Sequence, residues 1–299
     1  MDPARLILVL AIALGGCRGD EVQAASDGAV GIDALGNDAA NDAANDAKDD
    51  VTTPDTWSDA WPPGAVVASP GCGTRPGPKM VRVETLGDGG VVAFCVDTTE
   101  VTNEQYQHFL TWAASAAKPS LPSYCAVNAW PAPVIDLTRR KRPRVDVDWC
   151  DAWAYCAWAG KRLCGAIGGG HASYYDWLRG DVSQWSFACG NGAADTKFPY
   201  GSAELADACV TKASEPVDVA SFDKCRGKTA PFDQIYDMVG NAGEWEDACS
   251  AYEGTGPDTR VCKVRGGWTP NTGQTCDDEH ESSADFAAGD LSFRCCVDL

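Results

Sequence analysis

Cysteine content constrains this chain more than any other feature of its sequence. Fourteen cysteines, an even number, lie between residues 72 and 296, and a fifteenth stands at position 17. The sequence contains no Cys-x-x-Cys pair and only three histidines, which disfavours a zinc site. Disulfide bonds are then the expected role of so many cysteines. Such bonds persist in oxidising compartments. The sequence therefore predicts a disulfide-linked domain in an extracytoplasmic compartment.

The N-terminal residues have the pattern of an export signal. Arg5 precedes nine apolar residues, Leu6 to Leu14, too few to cross a bilayer as a helix. The run ends in Leu14-Gly15-Gly16-Cys17, which resembles the lipobox of bacterial lipoproteins. That resemblance implies a signal peptide over residues 1–16, a lipid on Cys17 and a protein anchored to the cell envelope. Arg18, in place of Asp, favours the outer membrane; an ordinary secretory signal is the alternative.

Residues 17–68 have the composition of a tether. Between residues 18 and 61 there are eleven acidic residues against Arg18 and Lys48, a net charge of −9 out of the chain's −19. Asn-Asp-Ala units recur every four residues from Asn37, and a helix built from them would bury nothing larger than Ala. The sequence predicts that this segment stays extended and solvated, with an amphipathic helix as the alternative.

Residues 69–299 are long enough to form one domain with a sizeable core. This part carries the remaining net charge of −10, which argues against nucleic acid and anionic lipid headgroups as partners. Its few long periodic segments, separated by Gly, Pro and Asp, predict a mixed α/β fold rich in ordered loops.

Three segments of this domain carry helical signals. A capping box at Thr102 and Gln105 predicts a helix of about eleven residues after it. A second helix is predicted between Asp148 and Gly160, and a short one around residues 183–189. The run from Val91 to Val96 predicts a strand.

Helix geometry limits the pairing of two cysteines in the second predicted helix. Cys150 and Cys156 are six positions apart, which is about 9 Å of rise and about 240° of rotation, so they cannot bond to each other. Cys249 and Cys262 bracket a short loop containing Gly and Asp, and they form a candidate bridge. Spacing alone leaves the other pairings open.

Four separated motifs stand out in the folded part of the chain. They are Glu100-Val-Thr-Asn-Glu-Gln-Tyr, Asp151-Ala-Trp-Ala-Tyr-Cys-Ala-Trp-Ala-Gly-Lys-Arg-Leu, Asp237-Met-Val-Gly-Asn-Ala-Gly-Glu-Trp, and Val264-Arg-Gly-Gly-Trp with Ser292-Phe-Arg-Cys. Their order and spacing resemble the formylglycine-generating enzyme family, also called the sulfatase-modifying factor domain, over about residues 80–299. The resemblance implies a variant of the C-type lectin fold, and it implies a disulfide between Cys156 and Cys295.

The resemblance implies a calcium site in the third motif. In the family, one side chain, two backbone carbonyls and a Glu hold the ion, and these positions correspond here to Asp237, Gly240, Ala242 and Glu244. Carboxylate and carbonyl oxygens are the ligands that Ca²⁺ prefers. The alternative is a structural turn in which Glu244 accepts hydrogen bonds from backbone amides.

The chain departs from the family at the catalytic cysteines. Active members carry two cysteines, four and nine positions after the second Gly of Arg-Gly-Gly, that bind copper(I). Counting from Gly267 places Asn271 at the first position and Cys276 at the second. An amide cannot replace a thiolate as a ligand for copper(I), so a copper site is not expected. Cys276 is expected to form a disulfide, and a reactive thiol is the alternative.

Two functional hypotheses follow. The first is a non-catalytic, membrane-tethered module with a calcium-stabilised fold that binds a surface or envelope protein or a glycan. The second is a formylglycine-generating oxidase with a rearranged active site, acting on a sulfatase cysteine. Whether the chain is an enzyme is left open by the sequence, but Asn271 favours the first hypothesis.

Overall fold

The computed structural model describes residues 65–67, 71–87, 89–115, 121–125, 135–175, 179–250, 260–267 and 274–299. The predicted signal peptide, the predicted lipid attachment residue Cys17 and nearly all of the predicted tether therefore lie outside the described residues. Within the described part, no helix is both long enough and apolar enough to cross a membrane.

The first sheet joins the two ends of the domain. Strands β3 (Met80–Gly87) and β4 (Gly90–Asp97) form an antiparallel hairpin, and the predicted strand lies within β4. The C-terminal strand β10 (Cys295–Asp298) pairs antiparallel with β4, and the short strand β5 (Arg162–Leu163) pairs with β10. The order is β3-β4-β10-β5. Ahead of this sheet, β1 (Ala65–Val67) and β2 (Thr74–Pro76) form a small ribbon.

The second sheet has the order β8-β7-β6-β9. Strands β6 (Gly243–Cys249), β7 (Val261–Arg265) and β8 (Glu279–Ser283) are antiparallel neighbours. Strand β9 (Leu291–Phe293) runs parallel to β6, so the residues of the two motifs Gly-Glu-Trp and Leu-Ser-Phe lie side by side.

Three α-helices occur in the described residues, and all three were predicted. Helix α1 (Asn103–Ala113) has the reciprocal capping box of Thr102. Helix α2 (Trp149–Trp158) is capped by the Asp148 side chain and ends two residues before the predicted Gly160. Helix α3 (Gln184–Cys189) is capped by Ser183. Capping signals in the sequence therefore located the starts of α1 and α2 correctly.

Helices α1 and α2 pack their aromatic faces together and against β9. The rings of Tyr106 and Tyr155 stack with centroids 5.5 Å apart, and Phe293 meets Tyr155 edge-on at 5.3 Å. These side chains are fully buried, as are Trp158 and Trp245. Aromatic pairs of this kind add about 0.5–1.5 kcal/mol each beyond the burial of area. Most of the tryptophans in the described residues therefore serve the core.

Seven disulfides link the domain. The pairs Cys156–Cys295 and Cys249–Cys262 expected from the sequence are both bonded. The separate bonds of Cys150 and Cys156 agree with the helix argument. A mixed α/β, loop-rich, disulfide-linked fold is thus confirmed. The five pairings that the sequence left open are Cys72–Cys95, Cys125–Cys150, Cys164–Cys296, Cys189–Cys276 and Cys209–Cys225.

Candidate functional site

The predicted calcium loop is a tightly constrained turn that leads into β6. Asp237 and Asn241 adopt left-handed backbone conformations with φ of 57° and 60°. Gly240 also has a positive φ, of 76°, and a Cβ added there would lie 2.3 Å from the carbonyl oxygen of Val210. No side chain fits that space, so glycine is required at this position. The loop is thereby held in one conformation.

Among the described residues, Glu244 accepts its hydrogen bonds from side chains and not from backbone amides, contrary to the alternative interpretation of this loop. Its carboxylate pairs with the guanidinium of Arg294 through two hydrogen bonds of 2.6 Å each. The indole N–H of Trp185 donates a third, 2.8 Å long, to the same carboxylate. All three side chains are buried. A bidentate carboxylate–guanidinium pair is among the stronger ionic contacts in proteins.

Glu100 is a member of this site that the sequence analysis did not identify. Its Oε1 accepts a hydrogen bond of 2.9 Å from the side-chain amide of Asn241. Its Oε2 is buried and has no hydrogen-bond partner among the described residues. Burial, and then the charges of Asp237 and Glu244, raise the pKa of the Glu100 carboxyl well above its usual value. One sequence feature could have pointed to Glu100. It stands two residues before the N-cap Thr102, where an acidic residue has no role in capping the helix.

The cluster carries more negative than positive charge. Burial raises the pKa of Asp237 to about 6, and its Oδ2 accepts a hydrogen bond of 2.6 Å from the amide of Ala220. When ionised, the carboxylates of Asp237, Glu100 and Glu244 face one guanidinium, that of Arg294. The excess of two negative charges in a buried cluster is unfavourable without a counter-charge.

These residues fit a calcium ion in charge and in donor type. Oxygen donors are what Ca²⁺ requires, and the unpartnered Oε2 of Glu100 supplies one beyond the predicted set. In the described part of the chain, no three acidic, His or Cys side chains converge closely enough to form a metal site by themselves. An ion here would therefore also draw on the predicted backbone carbonyls of Gly240 and Ala242. Glu244 would contribute only through lone pairs that its hydrogen bonds to Arg294 and Trp185 leave unused.

The Arg-Gly-Gly segment lies beside this loop. A Cβ added to Gly266 would lie 2.6 Å from the carbonyl oxygen of Met238, and one added to Gly267 would lie 2.7 Å from the carboxylate of Asp278. The Arg265 guanidinium donates to Ser186 Oγ at 2.8 Å and to the carbonyl of Cys276 at 2.9 Å. This packing fixes Cys276 relative to the glycines.

Cys276 is bonded to Cys189 on helix α3. The first expected copper position, Asn271, lies outside the described residues. The chain has fifteen cysteines, and the seven disulfides use all of them except Cys17. The chain from residue 18 onward therefore has no free thiol when these seven disulfides are formed. A thiolate pair for copper(I) is absent from it in that state.

Comparison with known proteins adds a family and several relatives. Residues 85–299 match the family model of the sulfatase-modifying factor enzyme 1-like domain. The formylglycine-generating enzyme of Bos taurus is 28% identical over 187 residues, which are 54% of this chain and 46% of that protein. The inactive C-alpha-formylglycine-generating enzyme 2 of Bos taurus is 27% identical over 169 residues, covering 51% of this chain and 49% of that protein. The chain thus spans about half the length of these curated relatives.

Among solved structures, the crystal structure of CarF aligns with a TM-score of 0.49 at 18% identity. The aligned part covers 69% of this chain and 87% of that one.

Proposed function

This chain belongs to the sulfatase-modifying factor enzyme 1-like family, and from that premise we propose that it is a non-catalytic member. It acts as a binding or structural module of the cell envelope, tethered to a membrane and stabilised by calcium. The single observation that supports the loss of catalysis is the Cys189–Cys276 disulfide, which withholds the one family cysteine that the sequence retained. A relative described as inactive shows that the family includes proteins without the activity.

Activity on a sulfatase-type peptide tests this proposal. The protein with its disulfides intact, supplied with copper(I) and oxygen, is expected to leave a Cys-x-Pro-x-Arg peptide unchanged by mass. The variant Cys189→Ala, which frees Cys276, is also expected to be inactive, because Asn271 offers no second sulfur ligand. An active family member serves as the positive control. Conversion of the peptide cysteine to formylglycine by the wild-type chain would overturn the proposal.

The envelope location is proposed from the cysteines and the N-terminal sequence. Seven disulfides require an oxidising compartment to form and persist. A lipid on Cys17 would hold the domain at a membrane through the acidic segment, and its partner would be a surface or envelope protein or a glycan. The net charge of −10 in residues 69–299 argues against nucleic acid.

The substitution Cys17→Ser is expected to release the protein from the membrane fraction, because the lipid attachment site is lost. Fractionation of cells expressing the wild-type and variant chains, followed by detergent phase partitioning, measures the change. The substitution Asp20→Ser, three residues after Cys17, is a matched control that keeps the lipobox. A variant that stays in the membrane fraction would contradict the anchor.

Removal of calcium is expected to lower the melting temperature by several degrees. A ligand at about a hundredfold excess over its Kd adds about 2.7 kcal/mol to the free energy of unfolding. For a domain of about 230 residues, each kcal/mol corresponds to about 2–4 °C. Thermal melts in EDTA and in excess calcium measure the difference for the wild-type chain and for Glu100→Gln and Asp237→Asn.

Each of these two variants is expected to reduce the difference between the two melts, because each removes an anionic donor from the cluster. The exposed carboxylate of Asp181, which pairs with Arg179, provides the control Asp181→Asn, which keeps the full calcium response. Identical wild-type melts in EDTA and in calcium would count against a bound ion.

A further inference from the structure

The Cys249–Cys262 disulfide differs from the other six in its exposure to solvent. Thirteen of the fourteen bonded cysteines are buried, the most exposed of them, Cys209, reaching 5%. Cys249 alone among these fourteen is partly exposed, whereas its partner Cys262 is fully buried. An attacking thiolate needs a line of approach to a sulfur, so exposure decides which bridge reacts first.

The bridge lies at the end of the β6–β7 ladder. Cys249 and Cys262 stand directly opposite each other on neighbouring strands, and the register shifts between Trp245 and Cys249. Beyond the bridge, the amide of Ser250 donates to the carbonyl of Val261 at 2.8 Å. The amide of Val261 donates to Ser250 Oγ at 3.2 Å. These hydrogen bonds keep the two strands together after the covalent link is broken, so the bridge can open without unfolding the domain.

We propose that Cys249–Cys262 is a thiol–disulfide exchange site that accepts two electrons from an external dithiol. A thiolate of the dithiol attacks Cys249 Sγ, the disulfide breaks, and the electron pair goes to Cys262 Sγ, which takes up a proton. The second thiol of the donor then attacks the donor's first sulfur, which is held in the mixed disulfide, and releases Cys249 as a thiol. The donor ends as a disulfide and the chain gains two thiols, so atoms and electrons balance.

The direction of attack follows from burial. Cys262 lies in the apolar core formed by helices α1 and α2 with β6, β7 and β9, where an incoming thiolate cannot reach it. The mixed disulfide therefore forms on Cys249. This site does not depend on whether the chain is catalytic.

Timed alkylation of the native full chain in limiting dithiothreitol tests the proposal. Cys249, once reduced, is expected to be labelled about tenfold faster than the twelve cysteines of the other six bridges, as measured by peptide mapping, whereas Cys262 stays shielded in the core. Glutathione, a monothiol, is expected to be trapped on Cys249 and not on Cys262. Earlier labelling of a cysteine from any other bridge, or labelling of Cys249 at the same rate as those twelve, would overturn the proposal.

Two double variants test whether the fast labelling comes from this bridge and not from general instability of the domain. The variant Cys249→Ala/Cys262→Ala is expected to keep the wild-type circular dichroism spectrum and to lose the fast labelling phase. The matched variant Cys209→Ala/Cys225→Ala removes a bridge of similar sequence separation, 16 residues against 13, and is expected to retain that phase. A fast phase that survives in the first variant would contradict the assignment.

Discussion

The double variant Cys156→Ala/Cys295→Ala is expected to lose about 2–3 kcal/mol of unfolding free energy by the chain-entropy model. The two residues are 139 positions apart, but the neighbouring Cys164–Cys296 bond already ties the same two segments together, so the Cys156–Cys295 bond closes a ring of only about ten residues in the unfolded chain. It also joins helix α2 to the C-terminal strand β10 inside the aromatic core, where both sulfurs are fully buried. Chemical denaturation followed by fluorescence measures the loss.

The double variant Cys249→Ala/Cys262→Ala provides the comparison for loop length. Its bridge spans 13 residues, and the same model gives about 3 kcal/mol for a loop near that size. Similar losses for the two variants are therefore expected if constraint of the unfolded chain dominates. A clearly larger loss for Cys156→Ala/Cys295→Ala would show that native-state packing around its buried sulfurs decides the stability instead.

Local signals in the sequence predicted the local structure of this domain. Each helix described begins after a side chain that accepts a hydrogen bond from the backbone N–H three residues later, as Thr102, Asp148 and Ser183 do. Such a cap is legible in the sequence because its partners are close along the chain. The Cys249–Cys262 bridge was predicted for the same reason, since one short loop separates the two residues.

Contacts between distant segments were not predicted from the residues alone. Strand β10 enters the first sheet beside β4, almost two hundred residues earlier in the chain, and no local pattern specifies that pairing. The Cys156–Cys295 bridge of the same region was expected only from the family resemblance. The partner of Cys276 was not expected from either source, because Cys189 lies on a different element, helix α3.

The buried ionic cluster was also only partly predicted. Sequence reasoning identified Asp237 and Glu244 because they share one motif. It missed that Glu244 pairs with Arg294, which lies in the C-terminal motif 50 residues away. Parallel pairing of β6 with β9 brings those two motifs together. The pairing of two charges 50 residues apart depends on how the fold places them, so composition and motif spacing do not predict it.

The substitution Arg294→Met is expected to destabilise the domain by about 3–5 kcal/mol, because removal of one partner leaves a buried charge uncompensated. The Arg294 guanidinium is fully buried and makes both hydrogen bonds to Glu244. It also donates to the carbonyl oxygens of Asp97 at 3.0 Å and Tyr236 at 2.9 Å, which would lose those donors. Urea denaturation at neutral pH, with and without calcium, measures the loss.

Two further variants distinguish this mechanism from a general cost of losing an arginine. Arg140 pairs with Glu104 on the surface with 61% of its side chain exposed, so Arg140→Met is expected to cost less than about 1 kcal/mol. The double variant Arg294→Met/Glu244→Gln removes the orphaned charge and is expected to recover part of the stability that Arg294→Met loses.

Because the single variant Arg294→Met leaves the carboxylates of Glu100, Asp237 and Glu244 without a cation, calcium is expected to stabilise that variant more than it stabilises the wild type. A loss below 1 kcal/mol for Arg294→Met, or a double variant no more stable than the single one, would show that the buried pair does not hold this loop in place.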